Sequence, residues 1–127
     1  MADELRMLVE RLKAVSHPLR MRVLGLLGQG ELCVCQVAEV LAVPASSVSE
    51  ALRELRRAGF VTERKEGRWV FVSIPIPTAP LLASLLLEIE ALPETGRDRA
   101  RIPAVTGLPV QDVCRKHMVK AGEATHA

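Results

Sequence analysis

"SVSEALRELRRAGFVTERKEGRWVFVSI", Ser47 to Ile74, decides the fold. Val48, Leu52 and Leu55 fall at the spacing of a single helical stripe, and Ser46, Ser47, Ser49, Glu50 and Arg53 surround it with polar side chains. This predicts a helix from about Ala45 to Ala58, ended by Gly59 as the residue just past the cap. Phe60–Arg64 and Arg68–Ile74 are rich in β-branched and aromatic residues, and "KEG" between them predicts a hairpin turn at Gly67.

The pattern extends outward in both directions. Upstream, Val37, Val40 and Leu41 mark a short helix starting at about Cys33 or Val34, joined to the Ala45 helix by the turn "AVPASS". Two short helices across a tight turn, the second presenting small polar and basic groups, are a helix-turn-helix. Followed by a basic-tipped hairpin, they have the order of a winged helix. Further upstream, Leu5, Leu8, Leu12 and Val15 give a helix over Asp3–Val15. "SHP" breaks it, with His17 read as a helix-start residue. Pro18 opens a helix that stops at "GQG", Gly28–Gly30. Downstream, Ala79–Leu92 has a broad apolar face of Leu81, Leu82, Leu85, Leu86 and Ile89. The fold class is therefore mainly α with a small β-hairpin.

Composition agrees. Aromatics are only 2% with no Tyr, so a core of Leu, Val and Ala favours helices over a β-sandwich. A length of 127 residues suits one domain with a tail. From Pro93, prolines and glycines punctuate a polar segment. The expected division is thus residues 1–92 for DNA binding and dimerisation, and 93–127 as a flexible tail, with one or two helical turns between Gln111 and Lys120.

The net charge of +2 names no partner, but Ala51–Val70 carries six basic residues against three acidic ones. Such a cluster is an electrostatic footprint for phosphate, although a solvated helix face with internal ion pairs gives the same count. The N-terminal part of the second helix of a helix-turn-helix meets base edges. Ser46, Ser47, Ser49, Glu50 and Arg53 are therefore the candidate DNA-facing residues, with Arg64, Lys65 and Arg68 beside the hairpin tip. The Asp3–Val15 and Ala79–Leu92 helices have more apolar face than a three-helix core needs. We expect a homodimer that sets two half-sites about 34 Å apart on double-stranded DNA.

Cys33 and Cys35 in "ELCVC" are two apart, which in an ideal helix places them about 200° apart. At a helix start the first residue escapes helical dihedrals, so Cys33 can swing toward Cys35. The positive end of the helix also favours thiolate, the form that ligates a soft ion. Two small buried residues packing as hydrophobes would read the same way from spacing alone.

These stretches resemble the ArsR family of winged-helix repressors. "SHPLRMRVLGLL" looks like the family's second-helix signature, and "SVSEALRELRRAGFV" is similar to its recognition helix and the start of the wing. "ELCVC" closely resembles the metalloid box of arsenic-responsive members. The resemblance covers about residues 5–91. It implies a transcriptional repressor of a metalloid-resistance operon, bound to an inverted-repeat operator and released when trivalent arsenic or antimony, or a methylated trivalent arsenical, binds Cys33 and Cys35. It implies no permanent cofactor and no enzyme activity.

The chain departs from the family in three places. Ala38 stands where a third box cysteine often sits, which leaves Cys114 as the candidate third ligand. Ala51 replaces a common His of the recognition helix. "APLLASLLLEIEAL" lacks the Asp and His of the family's other, zinc-binding box. The alternative reading keeps the fold but makes it a thiol redox-responsive repressor, with a Cys33–Cys35 disulfide and Cys114 as resolving thiol. No signal-like or membrane-length apolar run is present, so we expect reduced thiols, a cytoplasmic location and no membrane partner.

Overall fold

A computed structural model describes residues 2–117. In chain order the elements are α1 (Ala2–Val15), α2 (Pro18–Leu27), β1 (Leu32–Cys33), α3 (Val34–Leu41), α4 (Ala45–Arg57), β2 (Thr62–Glu66), β3 (Trp69–Ser73), α5 (Pro80–Glu90), α6 (Pro93–Ala100) and α7 (Ile102–Thr106). Residues 110–117 are also helical. The strands form one antiparallel sheet in the order β1-β3-β2.

The predicted helix-turn-helix is α3 and α4. Val48, Leu52 and Leu55 are buried as the stripe requires, and pack with Val23, Leu24 and Leu26 of α2 and Val37 and Val40 of α3. His17 caps α2, its Nδ1 accepting from the Leu19 amide at 3.2 Å. Gly59 follows α4 with φ +80°. Its amide donates to the Arg56 carbonyl and that of Phe60 to the Leu55 carbonyl, which closes the helix end in a Schellman turn. A Cβ at Gly59 would meet nothing, so the cost of Gly59→Ala is conformational only. We expect it to lower stability by about 1–2 kcal/mol, read as a fall in Tm with operator binding kept.

The wing forms over the β-branched and aromatic runs, with Val72 buried on β3 and its turn at Gly67 and Arg68. The reversal falls later than "KEG", because Lys65 and Glu66 are still paired, to Val70 and Trp69. Sequence reading missed β1. Its two residues lie beside β3, with Leu32 opposite Val72 and Cys33 opposite Phe71. The wing is thereby tied to the start of α3.

The largest departure follows residue 92. Residues 93–109, expected to be part of a flexible tail, instead form α6 and α7 against α2 and α3, and the helical turns expected within 111–120 are present as far as residue 117; residues 118–127 lie outside the described residues. Two kinds of contact hold them: Ile102, Val105 and Val113 join the core, and polar clasps fix α6. Asp98 accepts both Arg22 Nε and Nη2 at 3.0 Å, and Arg99 Nε donates to the Gly25 carbonyl at 2.8 Å. The Arg22 guanidinium is held more strongly protonated than usual, chiefly by its hydrogen bonds to Asp98. Gly25 permits the approach. A Cβ there would lie 3.2 Å from side-chain carbons of both Ile89 and Thr95.

Candidate thiol site and DNA-facing surface

Cys33 sits at the boundary of two elements. Its backbone is extended (φ −74°, ψ 147°), paired in β1 on one side and serving as the N-cap of α3 on the other. Its amide donates to Gln36 Oε1 at 2.8 Å, so a buried side chain of the first α3 turn fixes the cap. The extended backbone removes the 200° problem posed by the Cys-x-Cys spacing. Helical geometry begins only at Val34, one residue after the first thiol.

The 110–117 helix completes the cluster. Val113, Cys114 and His117 form its buried face, and Cys114 Sγ lies 3.7 Å from Cys33 Sγ. Cys114 is joined to Cys35 as a disulfide, with Cα atoms 5.0 Å apart, while Cys33 is a buried free thiol. The pairing differs from the Cys33–Cys35 disulfide expected for a redox site, because the 110–117 helix lies alongside α3 and brings Cys114 against Cys35. All three sulfur atoms fall within 4.8 Å of one another, the one such group of candidate metal ligands among the described residues. Reduced, they are three soft donors, Cys33 and Cys114 buried and Cys35 half-buried, which suits a thiophilic ion and disfavours a hard one. The third thiol of the cluster thus comes from 79 residues downstream of Cys35. Spacing alone carries no signal for such a partner.

His117 does not join the sulfur atoms. Its Nε2 meets Glu39 Oε2 at 3.0 Å, and Lys116 Nζ donates to Glu39 Oε1 at 2.8 Å. These hydrogen bonds, that of Lys116 first, hold the Glu39 carboxyl below the usual carboxylate range. The clasp is therefore complete above the ordinary Glu pKa and lost as pH falls through the lowered value.

On α4, Ser46, Ser49, Glu50 and Arg53 are exposed and Ser47 is half-buried, on the side opposite Leu52 and Leu55. Lys65 and Arg68 project from the wing, Arg68 lying over the Trp69 ring. Arg64 is exposed but already paired. Its guanidinium donates to both carboxylate oxygens of Glu31 (2.8 and 2.7 Å) and to Glu66 (3.2 Å), and stacks 4.5 Å over Phe71. Glu31 is two residues before Cys33, so Arg64 forms a latch between the wing and the start of the thiol box. Arg56 pairs with Glu63, so α4 also grips β2.

A profile described as "Bacterial regulatory protein, arsR family" matches residues 17–63, from the α2 cap to β2. The arsenic resistance transcriptional regulator ArsR2 of Pseudomonas putida is 32% identical over 107 residues, spanning 80% of this chain and 92% of that protein. The chain belongs to the arsR family of bacterial regulatory proteins. An uncharacterised HTH-type transcriptional regulator of Methanocaldococcus jannaschii is 41% identical over 66 residues, 51% of this chain and 74% of that protein. The chain spans about half the length of several other curated relatives that it matches. Among solved structures, the homodimeric winged helix-turn-helix DNA-binding domain from Mycobacterium bovis has a TM-score of 0.62 at 28% identity, covering 68% of this chain and 82% of that one. As an arsR-family protein, the chain is a winged helix-turn-helix DNA-binding transcriptional regulator, and arsenic-resistance regulators are among its relatives. No helix among the described residues is long and apolar enough to cross a membrane.

Proposed function

We propose that this arsR-family protein is a cytoplasmic homodimeric repressor. It holds an inverted-repeat operator in its reduced, ligand-free form. It lets go when trivalent arsenic or antimony, free or as a methylated arsenical, binds Cys33, Cys35 and Cys114. The observation that supports this best is the meeting of three sulfur atoms at the start of α3. Residues 1–92 carry DNA binding and dimerisation in this reading, and residues 93–117 deliver the third thiol.

The site is well placed to disturb DNA binding. Cys33 caps α3, its backbone pairs with Phe71 of the wing, and α3 packs against α4 through Val37 and Val40. Drawing three sulfur atoms onto one ion moves the α3 start relative to β3, and both DNA-facing elements move with it. A switch from 99:1 bound to 99:1 free needs about 5.5 kcal/mol of preference for the free state. Thiolate coordination of structural metals is worth about 10–16 kcal/mol in small peptides, so a fraction of it suffices.

On the DNA side, Ser46, Ser47, Ser49, Glu50 and Arg53 face the major groove, with Lys65 and Arg68 toward the flanking backbone. Arg64, half-exposed while latched to Glu31, stands beside them as a further backbone contact. Selection from random duplex DNA is expected to return an inverted repeat with half-sites one turn apart. On that sequence, fluorescence anisotropy should show log affinity falling with log salt at about −0.9 per phosphate contacted. A flat salt response would contradict DNA as the partner.

A second reading keeps the repressor and makes the signal oxidative, favoured by the Cys35–Cys114 disulfide. Two thiols then pass two electrons and two protons to a peroxide, which leaves as water and an alcohol or a second water. Release by peroxide together with indifference to arsenite selects this reading.

A further inference from the structure

Glu39 lies four residues beyond Cys35 on α3, so both side chains share one face of the helix. On the 110–117 helix, Cys114 and His117 share a face in the same way. The two helices meet at two rungs. Cys35 meets Cys114, and Glu39 meets His117 and Lys116. The second rung is a carboxylate receiving two donors in a fixed register. A slip of one turn would move Cys114 by about 5.4 Å, out of reach of Cys33 and Cys35. The same α3 turn carries Gln36, which fixes Cys33 through its amide.

We infer that Glu39 is a positioning residue that sets the number of thiols at the site, and through it the ligand class. This rests on the three-thiol reading proposed above. With Lys116 and His117 clasped, Cys114 is delivered and the site offers three sulfur atoms to an ion with three open valences, such as arsenite. Without the clasp, the site falls back to Cys33 and Cys35. Two thiolates are enough for a monomethylated trivalent arsenical, which forms only two bonds to sulfur.

The test uses the full, reduced chain and Glu39→Gln, which keeps shape and removes charge. Lys116→Gln/His117→Gln removes the same clasp from the other side, should Glu39→Gln fold poorly by circular dichroism. Glu39→Asp keeps the charge. X-ray absorption on arsenite-loaded protein is expected to count three sulfur atoms in the parent and in Glu39→Asp, and two in the clasp variants. Arsenite affinity should fall about 10–100-fold in the clasp variants, the usual range for residues that orient ligands. Affinity for monomethylarsonous acid should stay unchanged.

A second readout needs no arsenic. Diamide oxidises Cys35 and Cys114 to a disulfide, and its N=N bond takes up the two hydrogens. Mass spectrometry should show this step at least about tenfold slower in the clasp variants, by loss of proximity. Three sulfur atoms in the clasp variants, with unchanged arsenite affinity and unchanged disulfide rate, would overturn the role of Glu39 and leave the sensing proposal intact. A parent that binds no arsenite, with disulfide formation still slowed in the variants, would overturn the sensing proposal and keep Glu39 as the positioning residue.

Discussion

Cys33→Ser and Cys35→Ser proteins are expected to bind the operator as the parent does, and to stay bound at arsenite concentrations that release the parent. Serine offers a hard oxygen that is protonated at neutral pH, so it replaces thiolate in size but not as a ligand to a soft ion. The fold should tolerate the change. The amide of residue 33 keeps its bond to Gln36, and its pairing opposite Phe71 involves only backbone. The cost is a buried hydroxyl at a position 1% exposed, about 1–3 kcal/mol if it finds no partner. Each substitution removes a thiol from the α3 start, the element whose movement carries release. Cys114→Ser retains the Cys33–Cys35 pair and should raise the arsenite needed for release without abolishing it. Operator anisotropy across an arsenite titration measures all three. Normal release of both Cys33→Ser and Cys35→Ser would end the sensing proposal.

The second large effect is expected on the outer helices. Leu5, Leu8 and Leu12 line α1 at one-turn spacing and stay 65%, 44% and 46% exposed, with Leu87 of α5 also bare. The monomer gains nothing from this stripe, whereas a two-fold partner would bury it. Leu8→Glu/Leu12→Glu should therefore yield a folded monomer by sedimentation. Operator affinity should drop about 10²–10⁴-fold, the gain that linking two half-site contacts supplies. A double variant that remains dimeric would show that the stripe serves another purpose.

How far the sequence foretold the molecule differs between its two halves. Val48, Leu52 and Leu55 announced α4 because it buries one face and leaves that period in the sequence, and the β-branched and aromatic runs around Gly67 announced the wing by composition. The position of Cys33 at a helix start was legible from the apolar run that follows it. Three things were not. β1 is two residues long, Leu32 and Cys33, and pairs with Val72 and Phe71 far along the chain, too short to show a period. Arg64 carries the same charge as Lys65, and only the fold reveals that Glu31 has claimed it. The segment from Pro93 looked like a linker because α6 docks through Thr95, Asp98 and Arg99, and the apolar residues after it, Ile102, Val105 and Val113, are too few and too scattered among prolines and glycines to show a stripe. Polar clasps are specific to one partner surface, so they leave no periodic trace. The same cause hid Glu39, whose partners lie 77 and 78 residues away.

The central claim is that metalloid at the sulfur cluster ends operator binding. It is tested most directly by titrating arsenite into the operator complex of the parent protein, kept reduced by a phosphine, while following anisotropy. The account predicts complete release at one arsenite per protomer. A complex that stays bound when every thiol is reduced and arsenite is in large excess would contradict it.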